Sequence, residues 1–347
     1  MNSNVIFSND VPSRLLQAIN DLKPGRVFIL ADNNTAAIAR QLGIPSASLI
    51  TISDGDDHKN LDSLTHIWSE LQAGGATRHS LLVCVGGGMV TDIGGFAAAT
   101  FKRGIPFINV PTSLLGAVDA AVGGKTGFNF HNLKNEIGAF APAHTVIISS
   151  CFLTSLPHTE FLSGFAEMIK HALLSGEPQL SELLNANLAS FDHEHMLQLI
   201  RASVTVKQQI VSQDPTETGL RKALNLGHTV GHAFESFALS RGKPVPHGYA
   251  VAWGLVTELV LSHMRFGFPT TILHQVADFI SHNYGPFLIT CDDYDSLLQL
   301  MTHDKKSLNG EINCTLLSQC GQPHTDVTLA PDEVSAALDI YRDLLHI

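Results

Sequence analysis

Charge is scarce in this chain, and basic charge scarcest. Asp, Glu, Lys and Arg make up 15% of its 347 residues, and 21 Lys and Arg face 32 Asp and Glu, a formal net charge of −11. An acidic total repels phosphate chains and argues against nucleic acid as the main partner. No run of about 20 apolar residues lacks a charge or a glycine cluster, so no membrane span is expected. The opening MNSNVIFSNDVPS has neither a basic nor an apolar leader region, so no secretory signal is expected. The five cysteines (Cys84, Cys151, Cys291, Cys314, Cys320) are odd in number and form no CxxC pair. They read as reduced thiols of a cytoplasmic protein. Internal repeats and low-complexity tracts are also missing. What is plentiful is apolar side chain, 44% of the residues, which excludes a disordered chain and, at this length, suits two domains.

The first half alternates apolar runs with helical spacing. Arg26–Ala31, Ser80–Val85 and Pro106–Val110 read as strands buried on both faces of a parallel sheet. Residues 60–72 space Leu61, Leu64, Ile67, Trp68 and Leu71 as one helix face. This alternation predicts an α/β nucleotide-binding layer over 1–152. From 153 to 347 amphipathic helices dominate, over 160–175, 178–188, 194–212, 223–239, 248–266 and 331–345, with a late strand over 310–317. A mainly helical C-terminal domain and a hinge near 152 are expected.

Several stretches carry chemistry. Val85-Gly-Gly-Gly-Met-Val-Thr-Asp92 follows a strand and opens a helix. It reads as a tight turn or as a backbone cradle for a pyrophosphate, with Asp92 set to meet a ribose or an amide. Arg221, Asn225, His228, His232 and Glu235 are spaced 4, 3, 4 and 3, which puts all five on one face of a single expected helix. A solvated face is one reading; two His at i, i+4 make metal ligation or acid–base work the other. Glu167, Lys170 and His171 form a narrow polar stripe on an apolar helix, either a surface ion pair or a buried functional pair. Lys207 interrupts the apolar stripe of Ile200, Val204 and Val211, either to snorkel or to meet an anion. Lys125 in GGKTG and Lys134-Asn135 suggest a small anionic ligand, although Asp119 stands where a Walker loop would need its first glycine.

Together the motifs GGGMVTDIGGFAA, PTSLLGAVDAAVGGKTGFN, LKNEIGAF, SGFAEMIKHALL, ETGLRKALNLGHTVGHAFE, HGYAVAWG and a later DKK resemble those of the 3-dehydroquinate synthases, sugar phosphate cyclases of the shikimate pathway. The resemblance runs from about Asp54 to Gly310. It implies an α/β NAD-binding domain followed by a mainly helical metal- and substrate-binding domain. It implies that 3-deoxy-D-arabino-heptulosonate 7-phosphate becomes 3-dehydroquinate and phosphate through transient NAD-dependent oxidation, phosphate β-elimination, reduction and intramolecular aldol closure. Metal-dependent glycerol and alcohol dehydrogenases share the fold more distantly.

By the same resemblance, Glu167, His228 and His247 bind one zinc ion, with cobalt as the alternative. His232, Asn225, Lys207, Lys170, Arg221 and Lys125 do the catalytic work. Arg103, Asp119, Lys134, Asn135 and Lys306, in Asp304-Lys305-Lys306, contact the sugar phosphate, Arg103 from the neighbouring subunit of a homodimer. Asp56, Lys59, Gly87, Gly88, Asp92, Thr112, Asp119, Lys125, Lys134 and Ser155 face NAD. Asp56 and Ser155 stand where the family more often has Glu and Thr. Cys151, the APAH segment after IGAF, and Pro215 also depart from the pattern. The rival readings are another sugar phosphate cyclase, such as a 2-epi-5-epi-valiolone or 2-deoxy-scyllo-inosose synthase, a metal-dependent dehydrogenase, and a non-catalytic scaffold.

Overall fold

A computed structural model describes residues 3–131, 133–302 and 311–347. The chain forms two compact units, one of residues 1–157 with 190–208, the other of 158–189 with 209–347.

The first unit runs β1 (Asn4–Phe7), α1 (Val11–Leu22), β2 (Arg26–Asp32), α2 (Ala36–Gln41), β3 (Ser48–Ile52), α3 (Leu61–Ala73), β4 (Ser80–Gly86), α4 (Gly88–Thr100), β5 (Phe107–Pro111), β6 (Lys125–Phe130), β7 (Leu133–Phe140) and β8 (Thr145–Ile148). Six strands form a parallel sheet in the order β1-β8-β5-β4-β2-β3. β4, β5 and β8 are buried at every residue, as unbroken apolar runs covered on both faces must be. Asn60 starts α3 by accepting the Ser63 amide at 3.1 Å. On α4 a Cβ at Gly94 would stand 2.4 Å from Cys84 Sγ, so the helix lies closer to β4 than any side chain would allow. The glycine-rich stretch after residue 122 leads into an antiparallel hairpin of β6 and β7.

The second unit holds α5 (His158–Ser175), α6 (Glu177–Leu184), the end of α7 (His193–Gln213), α8 (His228–Ser240), α9 (His247–Phe266), α10 (Thr270–Tyr284), α11 (Tyr294–Thr302), β9 (Ile312–Gln319), β10 (Gln322–Leu329) and α12 (Pro331–Leu344). α9 is apolar nearly all round and packs against α5, α8, α10, α12 and β9. The expected late strand is β9, and β10 pairs with it antiparallel. Among the described residues no helix is long and apolar enough to cross a membrane.

Two expectations need correction. The units divide after Pro157, not near 152, and residues 190–208 belong to the first unit. Polar ties explain this. Ser150 Oγ donates to the His193 carbonyl at 2.7 Å, and Asn9 Nδ2 donates to Glu194 Oε1 at 2.9 Å. Residues 221–235 are also not one helix. A 3₁₀ segment spans Leu220–Asn225, and α8 starts afresh at His228. Gly227 makes the break in a left-handed conformation (φ +79°), where a Cβ would meet Leu255 at 2.8 Å.

Candidate functional site

In the second unit three elements bring donors to one point. Glu167 lies midway along α5 and is fully buried, as are its neighbours Lys170 and His171. His228 opens α8 and His247 opens α9. Glu167 Oε1 lies 3.5 Å from His228 Nε2 and 3.9 Å from His247 Nε2, and one ligand atom from each of the three residues falls within 4.8 Å of the others. The approach of α9 to α5 depends on Gly248, where a Cβ would stand 1.9 Å from the Ser163 carbonyl oxygen.

The two imidazoles are oriented alike. His228 Nδ1 meets the Leu226 carbonyl at 3.1 Å, and His247 Nδ1 meets Glu235 Oε2 at 3.2 Å. With Nδ1 donating to oxygen, each Nε2 keeps its lone pair for the centre. Neither Glu167 oxygen accepts a well-formed hydrogen bond, although Lys170 Nζ is in ion-pair contact with Oε2. A buried carboxylate with unused lone pairs is costly unless a cation or strong donors complete it. One carboxylate and two imidazoles are a fitting donor set for a divalent ion with open positions. His232, one turn further along α8, lies beside the trio, its ring edge-on to His228 at 5.3 Å between centroids and tilted to His247 at 5.9 Å.

Before the break at Gly227 the chain is held by Asp214. Burial pushes this carboxyl up, but the Gly219, Thr218 and Arg221 amides outweigh it and leave it at about 2. Arg221 is buried, its guanidinium donating to the Pro215 carbonyl at 2.7 Å. Asn225 Nδ2 donates to Glu217 Oε1 at 3.3 Å. Arg221 and Asn225 therefore belong to a separate turn and do not share the helical face of His228, His232 and Glu235.

The first unit gathers its charges in couples. Lys59 is buried and donates to Asp92 Oδ2 at 2.6 Å and Asn135 Oδ1 at 2.5 Å. Burial pushes the Asp92 carboxyl up and Lys59 pulls it back only in part, so it stays above the usual carboxylate range. Lys207, on α7, donates to the Asp119 carbonyl at 2.7 Å and to its Oδ1 at 2.6 Å. It is buried, so the snorkelling alternative does not apply. Lys134 pairs with Asp56 at 3.4 Å, where Asn129 also donates. Gly87 and Gly88 open α4 without a side-chain cap, and a Cβ at either would fill the space in front of Ser113 or Ala120 (3.2 and 3.1 Å). The Thr112 amide donates to the Gly86 carbonyl at 2.9 Å, which ties the end of β5 to that of β4. Bare amides at a helix start beyond adjacent strand ends can cradle a dinucleotide phosphate.

Lys125 lies exposed at the start of β6. Arg103 and Ser155 are exposed at the ends of short 3₁₀ segments, Ser155 Oγ donating to the Phe152 carbonyl. Lys306, with Asp304 and Lys305, lies outside the described residues. The sequence reading gave no role to Glu235, though it stood on the right face, and missed Glu258 and Asp214. Glu258 was visible as the lone acidic residue within the apolar run of α9.

A family model described as 3-dehydroquinate synthase N-terminal matches residues 49–163, and one described as 3-dehydroquinate synthase C-terminal matches residues 164–307. The chain is 46% identical over 344 residues to a 3-dehydroquinate synthase of Parabacteroides distasonis, covering 98% of each. Among solved structures, a 2-deoxy-scyllo-inosose synthase complexed with carbaglucose-6-phosphate, NAD+ and Co2+ superposes with a TM-score of 0.83 at 22% identity, covering 97% of this chain and 96% of that one. A 2-epi-5-epi-valiolone synthase from Streptomyces hygroscopicus with NAD+ and Zn2+ bound also gives 0.83 at 22% identity, covering 99% and 97%.

Proposed function

The chain belongs to the 3-dehydroquinate synthase family, and from that premise we propose that it converts 3-deoxy-D-arabino-heptulosonate 7-phosphate into 3-dehydroquinate and phosphate, using NAD and a divalent cation, zinc or cobalt. The observation that carries the chemistry is the convergence of His228 and His247 on the buried Glu167 carboxylate.

When bound there, the cation supplies Lewis-acid polarisation of substrate hydroxyls. NAD supplies a reversible hydride acceptor that is restored in each turnover, so the net reaction is not a redox one. The chain's residues hold, orient and move protons. Glu167 and the Nε2 atoms of His228 and His247 hold the cation, and Lys170 balances the buried Glu167 charge. A ring nitrogen of His232 takes and returns hydroxyl protons, and the Asn225 amide orients a hydroxyl. Lys170, Arg221, Lys207, Lys125, Lys134, Asn135 and Lys306 bind the carboxylate and phosphate of the substrate, basic and polar groups in an acidic chain. Lys59, Asp92, Gly87, Gly88, Thr112, Asp119, Asp56 and Ser155 hold NAD, the α4 amides facing its pyrophosphate. Arg103 reaches the phosphate of a neighbouring subunit's substrate, which makes the working form a homodimer, and a cytoplasmic setting goes with this reading.

The test is incubation with the heptulosonate phosphate, a sub-stoichiometric amount of NAD+, and Zn2+ or Co2+. Phosphate and 3-dehydroquinate are expected in equal amounts with no build-up of NADH. NADH accumulating with oxidised product would favour a dehydrogenase, and no phosphate release would overturn the proposal.

A further inference from the structure

We propose that Glu258 is a positioning residue for the metal centre: from inside α9 its carboxylate caps the start of α8 and so sets where His228 stands. The inference rests on the reading of Glu167, His228 and His247 as metal ligands.

Glu258 is fully buried. A carboxylate there is tolerated only when its oxygens are satisfied. Its partners are backbone amides of the neighbouring helix. Gly227 N donates to Oε2 at 2.6 Å, and Val230 N donates to Oε1 at 3.1 Å. These amides belong to the first turn of α8, whose cap residue is Gly227 and has no side chain to serve them. Charge-assisted bonds to them are the strong kind, and a carboxylate also suits the positive end of the helix. The Gly227 peptide leads directly into His228, and the same turn carries the Leu226 carbonyl that orients the His228 ring. α9 therefore supplies one ligand, His247, at its first residue and fixes the other, His228, through a side chain 11 residues later. That is about three turns, or 16 Å along the axis.

Co2+ titration reads the effect without turnover. Wild type is expected to bind one equivalent with visible d–d bands. Glu258→Gln is expected to bind about 10- to 100-fold more weakly, with altered bands and an unchanged far-ultraviolet spectrum. Glu258→Asp, which draws the charge back by one methylene, gives the same direction if the Gln variant does not fold. Leu338→Ala, in the core of α12, separates stability from positioning. It is expected to lower Tm and leave the Co2+ affinity and bands as in wild type. Wild-type affinity and bands in Glu258→Gln would overturn the proposal. A wild-type protein that takes up no Co2+ would overturn the metal reading itself.

Discussion

The candidate-site residues of the two units arrange charge differently. In the first, cations and carboxylates come in couples: Lys59 with Asp92, Lys207 with Asp119, Lys134 with Asp56. An incoming ligand must compete with these partners for the same groups. In the second, one carboxylate, itself in contact with Lys170, converges with two imidazoles, and Glu235 and the Leu226 carbonyl meet the Nδ1 atoms of those rings. On the proposed reading, the coupled charges serve anionic groups that exchange and the converging lone pairs serve a resident cation. This is the division of labour that a cofactor-assisted cyclisation asks of a chain.

Breaking the convergence should have the largest effect. Glu167→Ala is expected to abolish bound metal and to lower phosphate release on the order of 10³-fold or more, about 4 kcal/mol of barrier. Metal content by mass spectrometry and the phosphate assay check it, and full activity in metal-free buffer would reject the ligand assignment. Breaking a couple comes next. Lys207→Ala should lose turnover by about 10²-fold, the loss of one well-placed charged group, while NAD stays bound. Unchanged kinetics would mean that this lysine serves only Asp119. A smaller effect sharpens the contrast between aiming and holding. Glu235→Gln keeps an oxygen for His247 Nδ1 but loses the charge, so metal affinity should fall by about 10-fold, the low end of the range for such partners, as read by chelator competition.

The smallest expected effect is one of pH. Asp214 titrates at about 2, below the ordinary 3.8, so its contribution to stability is present above 3.8 and is lost as pH falls through about 2. Melting of wild type and Asp214→Asn should differ at neutral pH and converge below that window. A gap that widens on acidification would contradict the assignment.

Much of the first unit was legible because parallel strands read as unbroken apolar runs. The polar stripe of α5 was legible because helical spacing isolates Glu167 and Lys170 among apolar neighbours. Periodicity failed at Gly227. A 4-3-4-3 spacing continues through a glycine whether or not that glycine turns left-handed, and only the folded backbone, with φ at +79°, shows that it does. The place of residues 190–208 was hidden for a related reason, since its ties to Ser150 and Asn9 span more than 40 residues of sequence. Glu258 gave a faint signal, a lone acid in an apolar helix, but its partners are backbone amides that no side-chain pattern reveals. The metal trio came from family resemblance; spacing within the chain does not join residue 167 to residues 228 and 247.

The most direct test of the central claim is anomalous diffraction at the zinc or cobalt edge from crystals grown with that metal. The account predicts one peak at about 2.0–2.2 Å from a Glu167 oxygen and from Nε2 of both His228 and His247. A peak elsewhere, or none at that point in metal-loaded, active protein, would contradict it.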